Sequence, residues 1–338
     1  MSKRRNVVFM FDGTAQKREG VAAKYLSNVG RLSKIIPERS LDGMKQALYY
    51  YDGVGVRDGE ELDGQAWGRY LYNRIVEAYL DLQQEVFDAE RKDRDLHLYV
   101  CGFSRGAHAA RWFSSLISTV GVPRMDVSEN KGLDAFNRKN EVAARKMLAD
   151  GLMLPCPPIE MLGVWDTVDA TIGDNFDATV VPEKVANVYH AMALNEKRDI
   201  FTVERFGVGC GANEVWFNGS HTDVGGGYEN ANLSKITFAW MCEKFVRHGL
   251  FLDDGWTLPK EFDFTKCEYN ESNTFWWQVL NVLQTAHKEV DREVRVGDRL
   301  HWSVRMMNDK FTSIAPQMPP IDQLEFISKE EEMETAIV

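Results

Sequence analysis

The sequence predicts an α/β fold with a mostly parallel central sheet, helices on both faces and a C-terminal helical elaboration. Three observations carry this reading. Short apolar runs ending in turn residues recur between residues 6 and 221, amphipathic stretches of helical spacing separate them, and a Gly-x-Ser-x-Gly pentad directly follows one of the runs.

Taken in order, Asn6 to Phe11 reads as a buried strand closed by Asp12-Gly13-Thr14, and Ala23 to Ile36 as a helix. Ala47 to Asp52 is a second strand running into Gly53-Val54-Gly55. Trp67 to Arg91 is a long helix with Leu71, Ile75 and Tyr79 on one stripe. Leu96 to Cys101 is the strand that leads into Gly102-Phe103-Ser104-Arg105-Gly106, and a helix-compatible run from Ala107 to Ile117 follows. Asp126 to Asp150 is charged, and either irregular or helical. Ile159 to Val164 is a strand ending in Trp165-Asp166-Thr167. A helix is expected over Val185 to Leu194, then strands over Glu204 to Val208 and Glu214 to Phe217, the last ending at Gly219-Ser220-His221. Leu233 to Arg247 and Phe275 to Lys288 read as helices, and Glu330 to Glu334 as a solvated acidic tail. No internal repeat interrupts the chain, which is expected to form one domain over 1–338.

Composition removes several function classes. With 338 residues, 44% of them hydrophobic, the chain can bury a large core. A formal net charge of −11 gives nucleic acid phosphates no general attraction. The apolar stretch Val7 to Phe11 is too short for a secretory h-region, and no run has the length of a bilayer span. The expectation is a protein made in the cytoplasm, with export only by a dedicated secretion system and membrane contact only peripheral. Five scattered cysteines without a C-x-x-C pair read as buried thiols, not as a disulfide scaffold or zinc site. The glycine-rich segments match no nucleotide-binding arrangement, so no cofactor is expected.

The pentad has a mechanical logic. A serine between strand and helix adopts a strained backbone only if its neighbours are small, and Gly102 and Gly106 meet that need. The alternative is a structural Gly/Ser turn that starts a helix. As a nucleophile, Ser104 requires a histidine base and an acid to orient it. Asp166 and His221 each end a predicted strand on the same sheet edge as Ser104, in the chain order serine, acid, histidine. Asp166 could instead cap the next helix, and His301, in a late loop, is the other candidate base. The glycine-dense run from Asp223 to Tyr228 either positions His221 or is a tight turn before a helix. The backbone N–H groups of Gly13 and Arg105 are the expected oxyanion donors. Asp12 is expected to organise its loop by hydrogen bonds, with Thr14 or the His221 loop as partners. The Arg105 side chain has two readings, a substrate phosphate or carboxylate and an internal acid.

Five ordered blocks also resemble a known family: Phe11-Asp12-Gly13-Thr14, Gly102 to Ala107, Gly163 to Val168, His190 to Glu196 and Trp216 to Tyr228. They are similar to the signature blocks of the DUF2235 α/β-hydrolase domain, found in type VI secretion phospholipase effectors, over about residues 5 to 240. The region 241–338 is less distinctive. The resemblance implies an α/β-hydrolase fold, phospholipid acyl-ester hydrolysis and a triad of Ser104, Asp166 and His221. The expected function is therefore a serine esterase or lipase acting on a small-molecule or lipid ester. Two alternatives stand beside it: a metal-dependent phosphodiesterase using Asp12, Asp166, His221 and Asp223, and a catalytically silent interaction module.

Overall fold

In the computed structural model, β1 (Arg4–Phe11) lies between β2 (Lys45–Tyr51) and β3 (Asp95–Phe103), all three parallel. The structure describes residues 3–41, 43–60, 64–139, 141–170, 177, 179–253, 261–270, 289–307, 318–319 and 323–329. The sheet continues from β3 through β6 (Ile159–Trp165), β7 (Val188–Ala193), β8 (Asn213–Phe217), β9 (Arg299–His301) and β10 (Glu325–Ile327). Among the described residues its eight strands run in the order β10-β9-β8-β7-β6-β3-β1-β2, and every pairing between them is parallel. The short β4 (Val122–Pro123) and β5 (Met153–Leu154) pair separately, antiparallel.

Two-residue alternation along β1 divides the core into two layers. Val7, Phe9 and Phe11 face the helices α2 (Gly64–Lys92) and α3 (Arg105–Val120), whereas Val8 and Met10 face α1 (Asn28–Ile35) and α7 (Asn232–Arg247). Along α2, Leu71, Ile75, Ala78, Tyr79, Leu82 and Val86 recur at helical spacing and are all buried. Each large side chain so buried contributes about 1.5–3 kcal/mol. The stretch from Asp126 to Asp150 is helical, as α4 (Glu129–Asn137) and α5 (Glu141–Ala149).

Three expectations need correction. Residues 185–194 form no helix: Val188–Ala193 is β7, hydrogen-bonded to β6 on one side and β8 on the other. Its run of Ala, Met and Val suits a strand covered on both faces, and sheet pairing overrides the helix preference of Ala and Met. Residues 204–208 form no strand; Val203 makes an isolated bridge to Val168, and the chain then turns outward to exposed Val208. The helix expected over 23–36 is a 3₁₀ turn, Ala23–Tyr25, followed by α1, because Ser27 caps α1 by accepting a hydrogen bond from the Gly30 N–H. The stretches Phe275 to Lys288 and Glu330 to Glu334 lie outside the described residues. The C-terminal part adds α7, β9, β10 and a short α8 (Trp302–Met306). Among the described residues, no helix is long and apolar enough to cross a membrane.

The register aligns the functional ends. Phe11 pairs with Gly102, Phe103 with Trp165, Trp165 with Ala191 and Ala193 with Phe217. Asp12, Ser104, Asp166, Asn195 and the 218–221 turn therefore emerge at one carboxyl edge, where ligands of open parallel sheets bind.

Candidate active site

Ser104 sits between β3 and α3 at φ 60°, ψ −130°, a conformation that side-chain-bearing residues rarely adopt. Holding it there costs about 1–3 kcal/mol. Neighbouring bonds pin it: its N–H donates to the Trp165 carbonyl at 3.1 Å, and its carbonyl accepts from the Ala107 and His108 amides at 3.0 and 3.3 Å. The pentad glycines are required by space. A Cβ on Gly106 would lie 2.4 Å from the Phe11 and Asp12 carbonyl oxygens, and one on Gly102 would lie 2.4 Å from the Gly106 carbonyl oxygen.

His221 opens the short helix α6 (His221–Gly225) directly after the β8 turn. Asp223 accepts from the Ser220 N–H and hydroxyl, both at 3.0 Å, so the helix start is closed by a reciprocal cap. The Asn195 side chain accepts from the Gly219 N–H at 2.7 Å, and Glu196 accepts from the His221 N–H at 3.1 Å. The imidazole packs against the rings of Phe103 and Phe201, each with a centroid separation of 4.7 Å.

The three residues expected to work together do meet. His221 Nε2 lies 2.8 Å from Ser104 Oγ, and His221 Nδ1 lies 2.6 Å from Asp166 Oδ2. All three are buried. Burial alone would raise the Asp166 carboxyl; the Arg292 guanidinium and the His221 hydrogen bond outweigh it and hold the group well below the usual carboxylate range. Asp166 is thus an acceptor only, so Nδ1 carries the ring proton and Nε2 accepts from the Ser104 hydroxyl. Burial also lowers the His221 pKa, with Asp166 acting in the opposite sense. Asp166 caps no helix; it is itself at φ 42° and accepts from the Ala193 N–H at 2.8 Å. His301 is elsewhere, its ring stacked on Phe217 and its Nδ1 2.7 Å from Ser303 Oγ. His190 is fully buried in β7 and supports the Asp166 turn by accepting from the Thr167 N–H at 3.1 Å.

The first-strand loop departs from expectation. Asp12 accepts from Ser27 Oγ at 2.6 Å, from the Tyr50 hydroxyl and from the Gly13 N–H at 2.7 Å, and not from Thr14 or the His221 loop. The Gly13 amide is thereby engaged by a carboxylate. Gly13 serves through its missing side chain: a Cβ would lie 2.7 Å from the Phe103 ring and 3.3 Å from Ser104 Cβ. Burial pushes Asp12 up to about 6, against the opposing effect of its hydrogen bonds. The Arg105 guanidinium donates to Thr14 Oγ1 at 2.6 Å. Asp223 faces Ser220 and Asn270, whose Nδ2 donates to it at 2.6 Å. Asp12 and Asp223 therefore do not join Asp166 and His221 in a metal-binding group. Among the described residues, the set whose ligand atoms lie within 4.8 Å of one another is His108, Asp169 and Glu204.

Sequence reasoning missed Arg292, whose Nη1 and Nη2 lie 2.5 and 2.9 Å from the two Asp166 oxygens. It also missed Phe201 and the Glu196–Arg198 pair, joined by two side-chain hydrogen bonds at 2.8 and 2.7 Å. Glu196 and Arg198 follow the Asn195 that braces the histidine turn, which is the signal that marks them. A cavity of about 350 Å³ begins at the residues that follow Thr14 and His221, lined by Ala15, Gln16, Val21, Tyr25, Thr222 and Tyr228.

A parallel sheet with helices on both faces, a strained serine at a strand-to-helix turn and a histidine and an aspartate from later strand ends define an α/β-hydrolase-like fold. The chain belongs to the catalytic-domain family of Tle1-like phospholipase effectors of the type VI secretion system, whose model matches residues 5–244. It is 24% identical over 231 residues to an uncharacterised protein of Saccharomyces cerevisiae, covering 59% of this chain and 32% of that protein. Similar solved structures include the Tle1 effector bound to the VgrG spike of the type 6 secretion system, with 22% identity, a TM-score of 0.43, and 67% of this chain and 52% of that chain covered. Another is an uncharacterised protein from Pseudomonas aeruginosa, at 18% identity and TM-score 0.45, with 74% and 47% of the two chains covered. The chain spans about a third of the length of the curated relative and about half that of these structures.

Proposed function

We propose that this protein is a serine hydrolase of carboxylic esters, with lipid esters, phospholipids among them, as its substrate class. The observation that carries the reading is the hydrogen-bonded chain from Ser104 Oγ through His221 to Asp166, buried at the carboxyl edge of the sheet. Ser104 Oγ attacks the ester carbonyl carbon as His221 Nε2 takes its proton, giving a tetrahedral oxyanion and an imidazolium held by Asp166. The imidazolium gives that proton to the departing alcohol as the C–O bond breaks, leaving an acyl-serine. Water, deprotonated by His221, then attacks the acyl carbon and Ser104 regains its proton.

The oxyanion needs donors that are in place before it forms. One is the Arg105 N–H, in the first turn of α3, where helix geometry supplies no intrahelical acceptor. The second falls to the Thr14 N–H in place of Gly13. The Gly13, Ala15 and Gln16 amides are engaged by Asp12 Oδ1 and the Val54 and Gly13 carbonyls, whereas no acceptor takes the Thr14 N–H among the described residues. The Arg105–Thr14 side-chain bond ties the two donors together. The cavity beside Thr222 and Ala15 suits the acyl or alcohol portion. Family membership supports a lipid substrate, and the VgrG complex of the Tle1 effector suggests carriage by a secretion-spike protein as the partner class to test.

A metal-dependent hydrolase is the second reading, favoured by the His108, Asp169 and Glu204 set one helical turn beyond Ser104. One experiment separates the two: acid release from short p-nitrophenyl esters and from mixed phospholipid vesicles by wild type, Ser104→Ala, and wild type with EDTA. Turnover that needs Ser104 and resists EDTA supports the serine hydrolase. Turnover that survives Ser104→Ala but not EDTA supports the metal reading.

A further inference from the structure

Arg292 lies beyond the part of the chain matched by the family model, in the segment just before β9, yet it reaches the centre of the site. Its side chain is only 4% exposed. Beyond its two bonds to Asp166, Nη1 donates to the Ala193 carbonyl at 3.2 Å and Nη2 to the Phe201 carbonyl at 2.5 Å. Those carbonyls belong to the strand end that supplies the Ala193 N–H to Asp166 and to the residue whose ring packs on His221. The neighbouring Val290 N–H donates to the Lys197 carbonyl at 2.7 Å, so the segment is fastened at a second point.

Each Asp166 oxygen consequently receives two bonds: Oδ1 from Ala193 N–H and Arg292 Nη1, Oδ2 from His221 Nδ1 and Arg292 Nη2. The carboxylate cannot rotate without breaking several of them. The planar fork of arginine suits this task and the point charge of lysine does not. There is a cost to the electrostatics. A carboxylate already paired with a guanidinium attracts a forming imidazolium less than a lone carboxylate does. The other groups facing this pair are Glu196 and Arg198, which largely neutralise each other, and His190 behind the Asp166 turn.

We propose that Arg292 is a positioning residue for the hydrolytic reaction: its fork locks the Asp166 carboxylate against His221 and, by offsetting its charge, sets the pH below which His221 ceases to act as a base. This rests on the serine-hydrolase reading above. It also makes the C-terminal segment around residue 292 part of the active site.

The test uses the full chain with Arg292→Met, which removes charge and fork, and Arg292→Lys, which keeps charge alone. The acid limb of kcat/KM should move up by about one pH unit in Arg292→Met and stay in place in Arg292→Lys, with kcat lowered at least tenfold in both. Nitrogen-15 histidine NMR in a Ser104→Ala background reads His221 protonation without turnover, and should show the same displacement. Wild-type kcat in Arg292→Lys, or an unmoved His221 titration in Arg292→Met, overturns the proposal. If Arg292→Met does not fold, the kcat and titration of Arg292→Lys decide alone. Ester turnover that persists in Ser104→Ala would instead refute the underlying reading, a distinct result.

Discussion

Replacing Asp166 by Asn should damage stability and catalysis through separable causes. In the structure the carboxylate accepts four hydrogen bonds, from Ala193 N–H, His221 Nδ1 and both Arg292 Nη atoms, and it balances a buried guanidinium. An asparagine keeps the shape but offers one oxygen and an NH₂ group, which turns at least one of these contacts into donor against donor and leaves Arg292 unneutralised. Breaking one side of a buried ion pair costs about 3–5 kcal/mol, a large part of a domain's net stability of about 5–15 kcal/mol. The rate loss has another origin. Without an acceptor at Nδ1 the imidazole no longer presents Nε2 as a base, and such a change lowers kcat by about 10⁴. Adding Arg292→Met to Asp166→Asn removes the orphaned charge, so the double variant should regain at least about 2 kcal/mol over the single one while its kcat stays as low. Urea unfolding and ester hydrolysis on wild type, both singles and the double complete the cycle. Additive stability losses, or a single Asp166→Asn cost below about 1 kcal/mol, would refute the reasoning.

Other consequences are equally open to measurement. Glycine relieves the φ 60° strain at position 104, so Ser104→Gly should unfold at higher urea than Ser104→Ala by about 1 kcal/mol, once its larger unfolded-state entropy of about 0.4–1 kcal/mol is subtracted; an alanine variant that is the more stable would count against a strained turn. Asp12, pushed up to about 6, retains its proton when folded over a range in which it is ionised when unfolded. Its contribution to stability is therefore complete below its unfolded pKa and is lost as pH rises through about 6. The stability difference between wild type and Asp12→Asn should then fall by about 2–3 kcal/mol from about pH 4 to about pH 8, and a difference flat with pH would contradict it. Gly225→Ala places a Cβ 1.9 Å from the Phe103 ring, which packs on His221; a loss of about 1–3 kcal/mol with reduced activity, both partly restored by Phe103→Leu, is expected in unfolding and turnover assays.

How much of this was legible in the sequence depended on how far each residue's partners lie along the chain. The serine turn was readable because its requirement is local: Gly102 and Gly106 sit within two residues of Ser104, and a Cβ on either would strike backbone. Asp166 and His221 were readable because parallel-sheet topology brings strand ends to one edge, so chain order and apolar approach were enough. β7 was misread because Val-Tyr-His-Ala-Met-Ala contains good helix formers, and only flanking strands decide such a segment. The Asp12 partners were missed because Ser27 and Tyr50 lie on other elements, and nothing near Asp12 in sequence specifies them. Arg292 was missed for the same reason on a longer scale: it is 126 residues from Asp166, in a charged stretch that otherwise resembles surface. Buried arginines bonded to strand-end acids leave no local pattern.

The central claim, that Ser104 is a nucleophile activated by His221, is tested most directly by covalent capture. The full-length protein would be treated with a fluorophosphonate, and the adduct located by peptide mass mapping in wild type, Ser104→Ala and His221→Ala. The account predicts one adduct on Ser104, no adduct on that peptide in Ser104→Ala and labelling slowed by at least about a hundredfold in His221→Ala. Wild type left unlabelled while it hydrolyses ester, or labelling of Ser104 unchanged by loss of His221, would contradict it.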